Sequence, residues 1–127
     1  MTLQDIENEK KYYIRVIEMC SFDVFREPTA GMPVKYFRQR SYNKSALKEI
    51  LKKLRRSKNS PIVTLEKIAC ETYQMSFDDD VYSSLFNVTM WMIDIINAMR
   101  SKEENEDEHQ YKITDEMYRK SMETAWV

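Results

Sequence analysis

The residue types that most often perform catalysis or bind metals are scarce in this chain. Its single histidine, His109, lies in a charged stretch, whereas nucleophilic and acid–base catalysis most often depends on a histidine base. One glycine, Gly31, cannot form the glycine-rich loop that cradles phosphates. The two cysteines, Cys20 and Cys70, do not have the spacing of a zinc site. We therefore expect no enzymatic activity, no cofactor and no bound metal.

Two acidic features could still carry chemistry. Asp94 is embedded in a strongly apolar stretch, and a buried acid of this kind could have a raised pKa and a functional role. We favour a position at a polar edge, or an ion pair across an interface. The acids of Glu103–Glu108 could chelate a hard cation, but their spacing is not that of a calcium loop. We interpret residues 101–110 as an acidic, solvated linker.

The basic residues are concentrated in the middle of the sequence. Residues 35–70 contain eleven Lys and Arg but only two acids, whereas residues 71–127 contain five Lys and Arg against thirteen acids. The net charge of −1 therefore hides a basic centre and an acidic tail. This asymmetry is typical of a polyanion-binding face, and it is equally compatible with two faces that meet each other or a second copy.

Composition predicts that helices position these residues. The 127 residues suffice for one domain, which we place at 1–127. One Gly and three Pro are too few for the turns of a sandwich or barrel, so the fold should be all-α. The acidic N-terminus lacks a secretory signal, and the longest apolar-rich stretch, Leu85–Met99, is too short to span a bilayer. We expect a cytoplasmic protein without a membrane partner, its thiols reduced and in the core.

Capping residues and apolar periodicity predict five to six helices. The expected N-terminal caps are Thr2 with Asp5, Asn43, Ser60 and Ser76. The helices should run over about 3–25, 33–40, 43–56, 61–74, 77–100 and 114–126, with a loop over Arg26–Met32. The helix over 77–100 is apolar on most sides, which is typical of a helix that is central to a domain or carries a second interface.

The apolar positions also predict which side chains are buried. The five predicted stripes are Ile6, Tyr13, Ile17, Cys20 and Val24; Leu47, Ile50, Leu51 and Leu54; Ile62, Leu65, Ile68, Ala69 and Thr72; Val81, Leu85, Val88, Met92, Ile95 and Met99; and Met117, Tyr118, Met122 and Ala125. On the helix after Asn43, burial of the apolar stripe would make the lysines project together, an arrangement that can straddle phosphates.

The order of motifs around the basic centre is informative. Tyr42, Leu47 and Ile50 lie where one family of DNA-binding domains has a buried residue after a tight turn and then two apolar positions. Further motifs of that family follow in order: Asn43-Lys44-Ser45-Ala46-Leu47, Ser60-Pro61, Thr64-Leu65-Glu66-Lys67-Ile68-Ala69 and Ser76-Phe77-Asp78. Residues 34–81 thus resemble the helix-turn-helix core of Xre/Cro/phage-repressor-type proteins. The chain departs from them at Ser41, often glycine there, and at Phe37, where they have a small residue.

The resemblance implies a small transcription regulator that binds double-stranded DNA, with helix 43–56 entering the major groove. The residues implied for base and groove contacts are Asn43, Lys44, Ser45, Lys48 and Lys52, and those implied for phosphate contacts are Arg38, Arg40, Arg55 and Arg56. Such proteins usually bind as dimers, so we expect a homodimer whose interface uses Leu85, Trp91, Met92, Ile95, Met99 and Trp126.

The alternative is a non-enzymatic helical protein-interaction or inhibitor protein of mobile-element or phage type. In that case the basic face binds an acidic partner, or the acidic tail acts as a decoy for a nucleic-acid-binding protein. DNA binding requires Lys48, Lys52 and Arg55 to matter and the acids of 103–108 to be dispensable. A decoy requires the reverse.

Overall fold

A computed structural model describes residues 2–24, 34–75, 79–99 and 112–124, and within these ranges the side chains of 2–21, 41–75, 79–99 and 112–123. This part of the chain forms five α-helices and no strand. They are α1 (Leu3–Val24), α2 (Val34–Arg56), α3 (Pro61–Met75), α4 (Asp80–Met99) and α5 (Asp115–Thr124). The all-α prediction is confirmed. The loop predicted over Arg26–Met32 and the linker predicted over 101–110 lie outside the described residues.

Helix α4 is the centre of the fold and packs against each of the other four helices. Its fully buried side chains include Phe86, Met90, Met92, Ile93 and Ile96. This confirms a helix central to the domain. The predicted stripe is only partly right, since Val81 at its start is 51% exposed. A helix that is apolar on most sides does not define its buried face, which depends on where its neighbours lie.

The stripe predicted for α3 is confirmed, because all five of its residues are buried. On α2, Ile50, Leu51 and Leu54 are buried and Leu47 packs against the core from its edge. On α4, Met99 is 37% exposed in addition to Val81, and outside α4 the prediction is wrong at two positions. Met122 is 80% exposed, and Cys20 lies at the surface as a free thiol rather than in the core. Within the described residues, no helix combines the length and apolar character needed to cross a membrane.

Side-chain hydrogen bonds cap the starts of α1, α4 and α5. The buried Oγ of Ser60, the cap predicted for α3, has no hydrogen-bond partner among the described residues. Thr2 and Asp5 form the predicted capping box: the Asp5 backbone N–H donates to Thr2 Oγ1 and the Thr2 N–H donates to Asp5 Oδ2, both at 3.1 Å. The start predicted for α4 is wrong. Asp79 is the cap, since its Oδ1 accepts from the N–H groups of Val81 at 2.8 Å and Tyr82 at 3.2 Å. Ser76 lies outside the described residues.

The two helices predicted on either side of residues 41–42 are one helix. Helix α2 runs from Val34 to Arg56 without a break, so Asn43 lies in its interior and does not cap a new helix. No Gly or Pro occurs between residues 34 and 60, and nothing local therefore interrupts the backbone hydrogen-bond ladder. The tight turn implied by the resemblance does not form at Ser41. The short connection between helices in this region lies instead at residues 57–60, between α2 and α3.

Candidate nucleic-acid interface

The exposed side of α2 carries a stripe of polar and basic residues. Successive residues of a helix are rotated by about 100°, which places Ser41, Ser45, Lys48, Lys52, Arg55 and Arg56 on the side opposite the buried leucines and isoleucine. All six are exposed, and no Asp or Glu lies among them. We call these six residues the basic stripe. It extends over about 22 Å at a rise of about 1.5 Å per residue.

The remaining residues predicted to contact DNA have different positions. Lys44 borders the basic stripe and is half-buried. Asn43 is only 3% exposed and its side chain faces the core, so its predicted role in the groove is wrong for this fold. The side chains of Arg38 and Arg40 lie outside those described, although both residues belong to α2. The exposed acid Glu49 lies at the edge of the stripe, about 20° from Arg56 and about 60° from Lys52 around the helix.

A buried lysine holds the C-terminal end of α2. Lys10 on α1 is 4% exposed, and its Nζ donates hydrogen bonds to the backbone oxygens of Arg55 at 3.0 Å and Ser57 at 2.8 Å. It also donates to Glu7 Oε1 at 3.0 Å. The last carbonyls of a helix have no partner within the helix, so Lys10 supplies the donors that they lack. We did not predict this role, although Lys10 lies on the buried register of α1 with Ile6, four residues earlier.

A groove adjoins this end of α2. Its volume is about 430 Å³, and it is lined by Glu7, Lys10, Lys11, Ile14, Arg15, Glu18 and Arg55. The Arg55 guanidinium forms an ion pair with Glu18 of α1, and both side chains are about half exposed. We call this the α1–α2 groove. It contains more cationic than acidic side chains, which favours an anion.

The predicted dimer interface is largely part of the single chain's own packing. Met92 is fully buried in the core, so its predicted role at a dimer interface is wrong. Leu85 and Trp91 pack against the core from its edge, and Ile95 is half-buried. Met99 at the end of α4 is exposed, and Trp126 lies outside the described residues.

Asp94 lies at the surface of α4, facing α5. Partial desolvation by the neighbouring chain raises the pKa of its carboxyl group. Burial also raises the pKa of Tyr118 on α5, and the negative charge of Asp94 raises it further. Cys70 donates to the backbone oxygen of Lys112 at 3.6 Å, and burial raises the pKa of its thiol, which favours the protonated form. Among the described residues, no group of three His, Cys, Asp or Glu is arranged to hold a metal ion.

The basic stripe is therefore the surface of the described fold whose chemistry is most clearly directed at a ligand. The cationic groups lie on one side of a helix, the opposite side is anchored in the core, and the C-terminal end is fixed by Lys10. No protein-family model, curated protein or solved structure shows significant similarity to this chain.

Proposed function

We propose that this chain is a small, non-enzymatic regulator that binds double-stranded DNA through the basic stripe of α2, as a dimer. The observation that carries the proposal is that Lys48, Lys52, Arg55 and Arg56 are all exposed on one side of α2, with one exposed acid, Glu49, at the edge of that side. Lys and Arg that straddle phosphates release counterions from DNA, which drives binding without reading the sequence. The Ser45, Lys48 and Lys52 side chains point away from the core and are the candidates for base edges.

The proposal does not need the turn of a helix-turn-helix protein. A single helix fits the major groove, which is about 12 Å wide, and the basic stripe is long enough to follow it for part of a turn. Because α2 is anchored along Ile50, Leu51 and Leu54, its exposed side is presented without further ordering of the chain. A second copy would supply contacts to a second half-site.

Fluorescence anisotropy with a mixed-sequence duplex, repeated over a series of salt concentrations, tests the proposal. The wild-type chain should bind at about 1–100 μM, the range of non-specific DNA binding, and should weaken steeply as salt rises. Lys48→Glu/Lys52→Glu should abolish binding. The control, Lys67→Glu/Lys112→Glu, changes net charge equally at two exposed lysines outside the basic stripe and should bind like the wild type.

The protein-interaction alternative is supported by one observation. Asp115, Glu116 and Glu123 are exposed on α5, so part of the acidic C-terminal sequence lies at the surface of a described helix. This surface suits a decoy for a nucleic-acid-binding protein. If the wild-type chain binds no duplex even at low salt, DNA binding is refuted. The decoy would then be supported if the wild-type chain binds a basic DNA-binding domain and neutralising these three acids abolishes that binding.

A further inference from the structure

The α1–α2 groove opens onto the basic stripe through one shared residue. Arg55 lines the groove, and it also lies seven residues after Lys48, which places the two side chains on the same side of α2. The remaining cationic side chains of the groove come from α1. A polyanion that follows the stripe towards the C-terminal end of α2 would therefore next meet α1.

The charges in the groove are only partly neutralised. Lys10 pairs with Glu7, and Arg55 pairs with Glu18. The exposed residues Lys11 and Arg15 form no salt bridge with any residue of the described chain. The groove thus has an excess of two positive charges on its α1 side, next to an ion pair that is open to solvent.

We propose that the DNA backbone continues from the basic stripe into the α1–α2 groove, where Arg55, Arg15 and Lys11 bind phosphate and Glu18 is the group that phosphate displaces. Guanidinium groups bind phosphate in a two-pronged geometry, and an exposed ion pair such as Arg55–Glu18 is weak enough to exchange. Helix α1 thereby becomes a part of the DNA-binding surface. This inference rests on the proposed function and extends it from one helix to two.

The test measures duplex affinity and its salt dependence for Arg15→Gln, Lys11→Gln and Glu18→Gln. Arg15→Gln and Lys11→Gln should each weaken binding and reduce the slope of log affinity against log salt by about 0.9, the value of one phosphate contact. Glu18→Gln should tighten binding by up to about fivefold, the factor that corresponds to an exposed ion pair. The tightening should disappear in an Arg55→Gln background, because Glu18 acts through Arg55.

Matched controls separate a specific contact from a change in net charge. Lys67→Gln and Glu71→Gln alter exposed charges on α3 and should leave affinity and salt slope at wild-type values. If Arg15→Gln and Lys11→Gln bind like these controls while Lys48→Glu/Lys52→Glu abolishes binding, the groove proposal is overturned and the stripe proposal stands. A wild-type chain that binds no duplex overturns both.

Discussion

Replacement of Lys10 by Met removes the donors that hold the end of α2 while keeping the length and apolar stem of the side chain. Two backbone oxygens, those of Arg55 and Ser57, lose a charged donor. Such bonds contribute about 1.5–3 kcal/mol each, or about 3–6 kcal/mol together. Lys10→Met also removes the cost of burying an ammonium group, which is several kcal/mol before its partners offset it. We expect a net loss of about 2–3 kcal/mol in the free energy of unfolding.

Urea denaturation and thermal unfolding followed by circular dichroism measure this loss. In a chain of this size, about 2–3 kcal/mol corresponds to a decrease in Tm of about 10 °C. Lys11→Met is the control, because Lys11 is exposed and its replacement should change stability by less than about 0.5 kcal/mol. If Lys10→Met is as stable as the wild type, the desolvation cost cancels the hydrogen bonds and Lys10 gives no net stabilisation of the helix end.

Two further predictions concern α4. Because burial raises the pKa of Asp94 above its unfolded value, stability falls as pH rises through that interval. Asp94→Asn should therefore raise the free energy of unfolding at neutral pH and lose this advantage in acid. Urea titrations at both pH values measure the difference. An equal gain in stability at the two pH values would contradict the desolvation of Asp94. Met92→Ala should cost about 2–5 kcal/mol because Met92 is buried within one chain. The loss should not depend on protein concentration, whereas a residue buried between two copies would give a concentration-dependent loss.

Elements defined by local signals could be predicted from the sequence. The capping box of Thr2 and Asp5 needs only residues three apart, and both of its hydrogen bonds form. The stripe of α3 has a clear period, and its buried side faces α4 as one continuous surface. In these cases the pattern and the burial follow from the same helical geometry.

The break in α2 was predicted from a local signal, Asn43 as an N-terminal cap, and the family resemblance implied a turn at the same point. Asn43 is a good cap in isolation, but the cap of a new helix requires the preceding helix to end first. Ser41 and Tyr42 contain nothing that ends a helix, and α2 continues through them. The Asn43 side chain, which we expect to face solvent, therefore faces the core and is only 3% exposed.

Contacts between distant residues could not be read from the sequence. Lys10 and Ser57 are 47 residues apart, and Glu18 and Arg55 are 37 apart. Each of these side chains is of a type that usually remains solvated, so composition favours a surface position for all of them. The only available signal was the register of α1, which places Lys10 among the buried residues.

Some of the basic residues of α2 stabilise the helix itself, and their position along the helix shows which ones. Lys53, Arg55 and Arg56 occupy the last turn, where cations stabilise the negative end of the helix dipole whether or not a ligand exists. That effect is confined to roughly the last turn. Lys48 lies two turns before Arg55, is exposed, and gains little from the dipole. Lys52 lies between Lys48 and Arg55 on the same side of the helix, one residue before the last turn. The folding of α2 accounts for its basic end but not for Lys48 and Lys52, which is why these two positions test the proposed function.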